Sequence, residues 1–379
     1  MYQYQKTNRY FAQVADDIKD LAANELTSLG ATEISPVYRG LYFNASAEAM
    51  YRINFCSRLI HRVLAPLLTF DCHSDRYLYK TASNIAWSDF LNADQTFAVF
   101  AGVSNSAIRH SQYAALKLKD AIVDQFRDRN GRRPSVDTEA PDVWINLYII
   151  NNKATVSIDT SGGSLHKRGY RKRSVQAPMI ETLAASIIDM SGWDEQTPLY
   201  DPFCGSGTIL CEAYLKATRT PPSIMRRSFG FEKLPNFDAL AWRRVKQQTL
   251  KDIAPISGNL IAGSDIDAEA VDAARENCSI LNKTQPIAIE QRDIFDIDNL
   301  ENSTLVCNPP YGIRLDTNAD LPEFYKQVGD FLKQRCNGTN AFIYFGDRNL
   351  IKYIRLKPAW KKQLANGGLD GRLVKYEMY

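Results

Sequence analysis

The chain has 379 residues, more than one domain usually spans, so two or three packed units are expected. Hydrophobic residues at 45% and charged residues at 23% exclude a disordered, collagen-like or coiled-coil chain. Lys and Arg (46) barely exceed Asp and Glu (43), so net charge announces no polyanionic partner and any nucleic-acid contact must come from local clustering.

Residues 10–14 (YFAQV) read as a short strand, and DDIKDLAANELTSLGA as a helix stopped by Gly30. EISPVYRG and LYFNAS read as two strands around Arg39 and Gly40, SAEAMYRINFCSRL as a helix and HRVLAPLLTF as a strand. The order βαββαβ is the ferredoxin-like pattern and is assigned to residues 1–70. A second α/β unit, residues 71–165, should hold a helical stretch near 85–91, the strand TFAVFAGV, a helix over about 107–129, and the strands VWINLYII and KATVSIDT.

A boundary is expected after Ser161-Gly162-Gly163-Ser164, and from residue 166 to 379 strands alternate with helices. PLYDPF, LIAGSD, PIAIEQRD, STLVCNPP and AFIYFGD are the strands; TILCEAYLKA, AEAVDAARENCSILN, LPEFYKQVGDFLKQR and RNLIKYI are the helices. Repeated β-α units predict a parallel, doubly wound sheet. The ending KPAWKKQLANGGLDGRLVKYEMY predicts a hairpin around its Gly-rich centre.

Cys56, Cys72, Cys204, Cys211, Cys278, Cys307 and Cys336 are scattered and form no C-x-x-C pair, which fits reduced thiols in a cytoplasm and no zinc site. The four histidines, His61, His73, His110 and His166, are too dispersed to suggest a metal. The start lacks a basic region leading into an apolar core, and no apolar run approaches the ~18 residues that cross a bilayer, so neither secretion nor membrane insertion is expected.

Asp201-Pro202-Phe203-Cys204-Gly205-Ser206-Gly207-Thr208 joins a predicted strand to a predicted helix, where glycines let backbone approach a ligand and aim the helix N-terminus at it. A tight turn is the bland alternative. The dinucleotide fingerprint fails, because Leu210 stands at its third Gly position and Asp265 lies far beyond the spacing for its acid. Asp201, Asp265 and Asp293 fall at successive strand ends, on the edge where open α/β sheets bind ligands. Carboxylates accepting from ribose hydroxyls and from an adenine amine describe an adenosyl ligand without phosphates; helix capping is the competing reading.

Asn308-Pro309-Pro310-Tyr311-Gly312 follows the fourth strand. The prolines remove backbone donors. What remains are acceptors, the Asn308 side-chain oxygen and the Pro309 carbonyl, which could hold the two protons of a planar exocyclic amine while Tyr311 stacks on its ring.

With these residues the chain resembles S-adenosylmethionine-dependent amino-methyltransferases, and most closely the bacterial large-subunit ribosomal RNA (guanine-N2)-methyltransferases that carry an N-terminal THUMP domain. LHKRGYR, APMIETLAASII, DPFCGSGTILCEA, GSDID, RDIFD, NPPYGIRLD and NGGLDGRLVKYEM carry the likeness, with RHSQYAALKLKDAIVDQF and RPSVDTEAPD in the N-terminal half. The resemblance implies a ferredoxin-like region, a THUMP RNA-binding domain over 71–165 and a seven-stranded Rossmann-like methyltransferase over 166–379. It implies S-adenosyl-L-methionine as cofactor, held by Asp201, Phe203, Gly205, Ser206, Gly207, Asp265, Ile266, Asp293, Ile294 and Asn308. Asn308, Pro309 and Tyr311 would be catalytic, holding the target base. A second methyltransferase half carried by some members is not expected in a chain ending at Tyr379. Cys204 is not expected to act as a nucleophile, since amine methylation is direct displacement at a sulfonium.

LHKRGYRKR has five Lys or Arg in nine residues, and Arg226-Arg227 and Arg243-Arg244 stand near Phe229, Phe231 and Trp242. Phosphate contact with base stacking suits looped RNA, so Lys167, Arg168, Tyr170, Arg171 and Arg173 are the expected RNA contacts and large-subunit ribosomal RNA the expected partner; solvated surface is the alternative. No protein partner is legible. Two other functions stay open: DNA adenine-N6 methylation, which the same Asn-Pro-Pro-Tyr serves, and an RNA-binding ribosome-assembly factor with an inactive methyltransferase fold.

Overall fold

The computed structural model describes residues 1–379 apart from 176–177, 283–286 and 312–319. Ala177 of APMIETLAASII, Pro286 of PIAIEQRD and 312–316 of NPPYGIRLD thus lie outside the described residues. The chain forms two compact units, Met1–Leu165 with Arg226–Gln248, and His166–Met225 with Thr249–Tyr379.

The first unit carries α1 (Gln3–Thr7), β1 (Arg9–Gln13), α2 (Lys19–Ser28), β2 (Thr32–Val37), β3 (Gly40–Asn44), α3 (Ala47–Cys56) and β4 (Arg62–Asp71). It continues with α4 (Asp75–Ala82), β5 (Thr96–Ser104), α5 (Ser111–Asn130), β6 (Ser135–Val136), β7 (Val143–Ile150) and β8 (Lys153–Asp159). All eight strands share one sheet of order β2-β3-β1-β4-β8-β7-β5-β6. Ten-residue β4 pairs with β1 on one side and β8 on the other, so the ferredoxin-like βαββαβ half and its neighbour are hydrogen-bonded into a single layer. The strict alternation of β7, with Val143, Ile145, Leu147 and Ile149 buried, is the period-2 signature of a sheet with one covered face.

The helix expected at 85–91 is instead a 3-10 turn, Trp87–Asp89. The helix lies earlier, at α4, where the Ser74 hydroxyl accepts from the Tyr77 amide and caps it. Buried Trp87, Phe90 and Leu91 produced the misleading apolar spacing.

Residues 226–248, expected within the C-terminal domain, belong to the first unit. Arg226 donates to the backbone carbonyls of Ser161 at 2.8 Å and Gly162 at 3.2 Å. Phe229 and Phe231 stack at 4.9 Å, and Tyr51 and Phe55 of α3 pack on Phe231 and Trp242 at 4.6 and 5.3 Å. This basic and aromatic stretch therefore builds core with Phe229, Phe231 and Trp242, correcting its expected role as a base-stacking surface. Arg243 and Arg244 stay exposed on α8 (Ala239–Lys251).

The second unit carries α6 (Glu181–Ser191), β9 (Leu199–Asp201), α7 (Thr208–Ala217), β10 (Ile261–Asp265), α9 (Ala268–Leu281), β11 (Ala288–Gln291) and β12 (Thr304–Cys307). α10 (Leu321–Arg335), β13 (Asn340–Phe345), β14 (Trp360–Gln363) and β15 (Arg372–Glu377) complete it. The sheet order is β11-β10-β9-β12-β13-β15-β14. β9 to β13 run parallel, while β15 is antiparallel to both β13 and β14. RNLIKYI forms a 3-10 helix, Arg348–Ile354. Strand order reverses between β9 and β12, which opens a crevice at their carboxyl ends. All four residues of β12 are buried, as a central strand with both faces covered requires.

Candidate active site

Between β9 and α7 the chain turns through Gly205 (φ 52°) and Gly207 (φ 81°), left-handed conformations that favour glycine. A Cβ on Gly207 would stand 3.2 Å from both Ala274 Cα and Cys278 Sγ of α9, so the loop depends on its absence. The Cys204 amide donates to the Ser264 carbonyl at 2.9 Å and the Gly205 amide to Asp265 Oδ2 at 2.8 Å, tying the loop to the end of β10. Asp265 Oδ1 accepts from the Asp267 amide at 3.1 Å, and Asp267, not Asp265, caps α9 by accepting from the Glu269 amide. Beside them Ile266 is 65% exposed, an apolar side chain left bare at the strand end. Asp293 accepts from the Phe295 amide at 3.0 Å. Ile294 packs its side chain in the core with Leu305 and Tyr325, which leaves only its backbone to face a ligand.

A cleft of about 30 Å³ lies above the reversal point, lined by Asp201, Phe203, Gly205, Ser206, Thr208 and Asn308 among others. The structure thus brings five of the expected residues together on one cleft. Gly207 adjoins through the loop, Asp265 through its bond to Gly205, and Asp293 and Ile266 stand at the neighbouring strand ends. Asp201 is buried with one oxygen accepting from the Phe203 amide; burial, opposed by that bond and reinforced by nearby Asp265, holds its carboxyl well above the usual carboxylate range. Burial likewise pushes the Cys204 thiol well up, the opposite of an activated nucleophile.

Asn308 follows β12 and is 6% exposed, with its Oδ1 fully buried and without a hydrogen-bond partner among the described residues. Buried acceptors of this kind are rare and point to an absent donor. Pro309 is buried too and its carbonyl accepts no bond from the described residues, whereas the Pro310 carbonyl takes the Tyr325 hydroxyl at 3.1 Å. Tyr311 is half-buried, and a Cβ on Gly346 at the end of β13 would fall 2.3 Å from its ring, so Gly346 makes room for that ring.

The basic segment leading into this unit departs from expectation. Arg168 is 2% exposed, its Nε 3.3 Å from Glu212 Oε1, to which the buried Tyr170 hydroxyl also donates at 3.1 Å. Arg171 donates from Nε to Glu181 at 2.9 Å and from Nη2 to the Met179 carbonyl at 2.7 Å and Thr208 Oγ1 at 3.1 Å. Arg168, Tyr170 and Arg171 are therefore internal to the unit, correcting their assignment as RNA contacts; Lys167 and Arg173 remain on the surface. Asn277 of α9 accepts from the amides of Lys172 and Arg173 and donates to the Ser206 carbonyl at 3.0 Å, joining this segment to the glycine loop. Glu181, Glu212, Asn277 and Thr208 escaped the sequence reading. Two acids inside the apolar runs ETLAASII and TILCEAYL were the available signal that nearby arginines had buried partners.

Among the described residues no three His, Cys, Asp or Glu side chains are placed to hold a metal ion. None of the described helices is long and apolar enough to cross a membrane.

A sheet of this order, with a glycine loop after the strand at its reversal point and Asn-Pro-Pro-Tyr after the adjacent one, defines a Rossmann-like methyltransferase fold. Residues 168–375 match the RMKL-like methyltransferase domain, 73–159 the THUMP domain and 9–64 the RlmL ferredoxin-like domain. The chain belongs to the RMKL-like methyltransferase family. It is 40% identical over 374 residues, 98% of this chain and 97% of the other, to the Synechocystis sp. protein named "Putative RNA methyltransferase slr0064". It also resembles the crystal structure of SMU.472 complexed with SAH, at 27% identity and TM-score 0.84 over 98% of each chain. A predicted N6-adenine-specific DNA methylase from Listeria monocytogenes matches at 26% identity and TM-score 0.83, over 98% of this chain and 96% of that one.

Proposed function

We propose that this methyltransferase uses S-adenosylmethionine to methylate the exocyclic 2-amino group of a guanine in large-subunit ribosomal RNA. The observation that carries the amine as acceptor is the buried, unpartnered Asn308 Oδ1 on the cleft beside the glycine loop. The residues present fit the cofactor: the Gly205–Gly207 loop admits it closely, Asp265 suits its ribose hydroxyls, Asp293 its adenine amine, and Ile266 offers an apolar contact. When bound, the sulfonium supplies an electrophilic methyl group. Asn308 Oδ1 and the Pro309 carbonyl would accept the two amine protons and orient the nitrogen lone pair, bonds that strengthen as positive charge develops there. Tyr311 gives the base a ring to stack on. No general base is needed, because the proton can leave after transfer.

RNA as substrate is supported by the THUMP domain and by the name of the Synechocystis relative. Lys167, Lys172 and Arg173 are the exposed basic residues of the segment left to meet phosphate. The protein should be incubated with labelled S-adenosylmethionine and undermethylated ribosomal RNA or DNA, and the digested nucleosides identified by mass spectrometry. Labelled N2-methylguanosine is the expected product. Labelled methyladenine in DNA would overturn the proposal, and absence of cofactor binding by calorimetry would leave only an assembly role.

A further inference from the structure

The eight-stranded sheet of the first unit buries one face and leaves rings on the other. Register aligns Ala12 with Leu41 and Val63, and Ile158 with Ala65 and Ile145, all of them buried. The opposite face pairs Phe11 with Tyr42, and Tyr148 of β7 with Thr155 and Gly102, all only partly buried. Its rings lie down on glycines: a Cβ on Gly40 would stand 2.2 Å from the Phe11 ring, and one on Gly102 3.1 Å from the Tyr148 ring. A ring resting on a glycine keeps its other side for whatever approaches the sheet. Burial raises the Tyr148 hydroxyl, with Tyr38 adding to the rise and Arg39 opposing it. These two partners stand in the turn between β2 and β3, and in sheet order β2 is the far edge from β7's neighbourhood, about 24 Å away if the sheet were flat. The sheet therefore curls into a trough, helped by the irregularities between Thr32 and Ser35 in β2 and between Pro66 and Leu68 in β4.

Positive charge edges this trough. Arg39 holds φ 55°, left-handed and uncommon outside glycine, and its turn is pinned by its amide donating to Asp16 at 2.9 Å and its carbonyl accepting from the Val14 amide at 3.3 Å. Its guanidinium lies 5.4 Å from the centre of the Tyr38 ring, which is 59% exposed, and that of Arg9 lies 4.9 Å from the Tyr42 ring. Neither Arg9 nor Arg39 enters an ion pair among the described residues. Arg62, by contrast, is paired with buried Asp159 and lies over Phe100 and Trp144 at 4.4 and 5.0 Å, so those two rings are already occupied.

We propose that the trough binds single-stranded RNA, with a base stacked on Tyr148 across from Tyr38, and with Arg39 and Arg9 meeting its phosphates. The inference rests on RNA being the substrate. Open rings with uncommitted guanidinium groups between them suit a chain that alternates flat bases with negative charge, and every base has a face to stack. A duplex keeps its bases stacked on one another and has none to lay on Tyr148.

The test is fluorescence anisotropy of the full-length protein with a short labelled oligouridylate and with an RNA duplex of the same length, beside a melting curve for each variant. The wild type should hold the single strand more tightly than the duplex. Tyr148→Ala should weaken single-strand binding by about five- to a hundredfold, the range for one stacked base, and Tyr148→Phe should keep it within about twofold, because the ring and not the hydroxyl does the stacking. Arg39→Ala should flatten the salt dependence by about 0.7 unit of log slope, one single-strand phosphate. Tyr148 is half-buried and Arg39 exposed, so both variants should fold, and the melting curves check it. Unchanged single-strand affinity in Tyr148→Ala together with an unchanged slope in Arg39→Ala would overturn the proposal and leave the RNA reading standing. So would a preference for duplex, or self-association of the wild type that Tyr148→Ala abolishes, which would give the face to a second copy. Failure of the wild type to bind either probe or undermethylated ribosomal RNA would overturn the RNA reading, and this inference with it.

Discussion

Asn308→Ala separates chemistry from framework. The side chain is 6% exposed and its Oδ1 has no partner among the described residues, so in the ligand-free protein it is a buried acceptor of the kind that costs about 1–3 kcal/mol. Truncation relieves that cost and leaves a small void, two opposing effects that should keep the melting temperature within about 4 °C of wild type. Turnover should behave differently. Removing one positioned polar group from a charge-developing transition state costs ~10²–10³-fold, roughly 2.7–4 kcal/mol of barrier. Cofactor affinity should fall far less than turnover, because the Asn308 oxygen is assigned to the base and the rest of the cleft lining remains to hold the cofactor. The assay is single-turnover methylation of the acceptor RNA beside calorimetric cofactor binding and a melting curve on the same preparation. Near-normal turnover would sink the two-acceptor mechanism, and a collapse of melting temperature would make Asn308 a framework residue.

Asp265→Ala should weaken S-adenosylhomocysteine binding by about ten- to a hundredfold, since a charge-assisted acceptor is removed; an unchanged dissociation constant in the folded variant would remove Asp265 from the site. Asp201 has its folded pKa raised above the unfolded value, so its contribution to stability is fully present below the ordinary carboxylate range and is lost as pH rises through the folded value. Asp201→Asn should therefore melt higher than wild type by a margin that widens from about pH 5 to about pH 8 without ligand; a constant margin would contradict the buried, proton-holding carboxyl. Arg168→Met strands Glu212 in the interior and should cost ~3–5 kcal/mol by denaturant unfolding, whereas an exposed RNA-contacting arginine would cost almost nothing. Lys167→Glu with Arg173→Glu should leave stability intact and flatten the salt dependence of RNA binding by about one unit of log slope for each phosphate no longer neutralised; an unchanged slope would place the RNA elsewhere.

Fold class was legible because its signals are local. LPEFYKQVGDFLKQR coincides with α10, since Asp320 caps it by accepting from the Glu323 amide, Pro322 suits the first turn, and Tyr325, Val328, Phe331 and Leu332 recur at helical spacing. The final hairpin was legible from its Gly-rich centre. Elements whose burial comes from remote partners were not. α4 carries few apolar residues, and the Trp87–Asp89 turn has a helix-like apolar run only because Trp87 is a core side chain. The return of residues 226–248 to the first unit depends on ring contacts between positions almost two hundred apart, such as Tyr51 with Phe231, which no window of sequence can contain.

The site divided along the same physical line. The glycines, the strand-end acids and Asn308-Pro309-Pro310-Tyr311 could be placed from sequence because backbone geometry and short motifs at strand ends fix their positions. The arginines of LHKRGYRKR were misread because charge density along a chain says nothing about direction: here Arg168 and Arg171 turn inward and meet Glu212 and Glu181. An arginine buried against a single carboxylate keeps donors to spare, so such a pair transmits position to whatever else it bonds. For Arg171 that third party is Thr208, at the first turn of the helix behind the glycine loop. A segment that looked like a surface for RNA is thus turned inward at Arg168, Tyr170 and Arg171, while Lys167, Lys172 and Arg173 stay exposed.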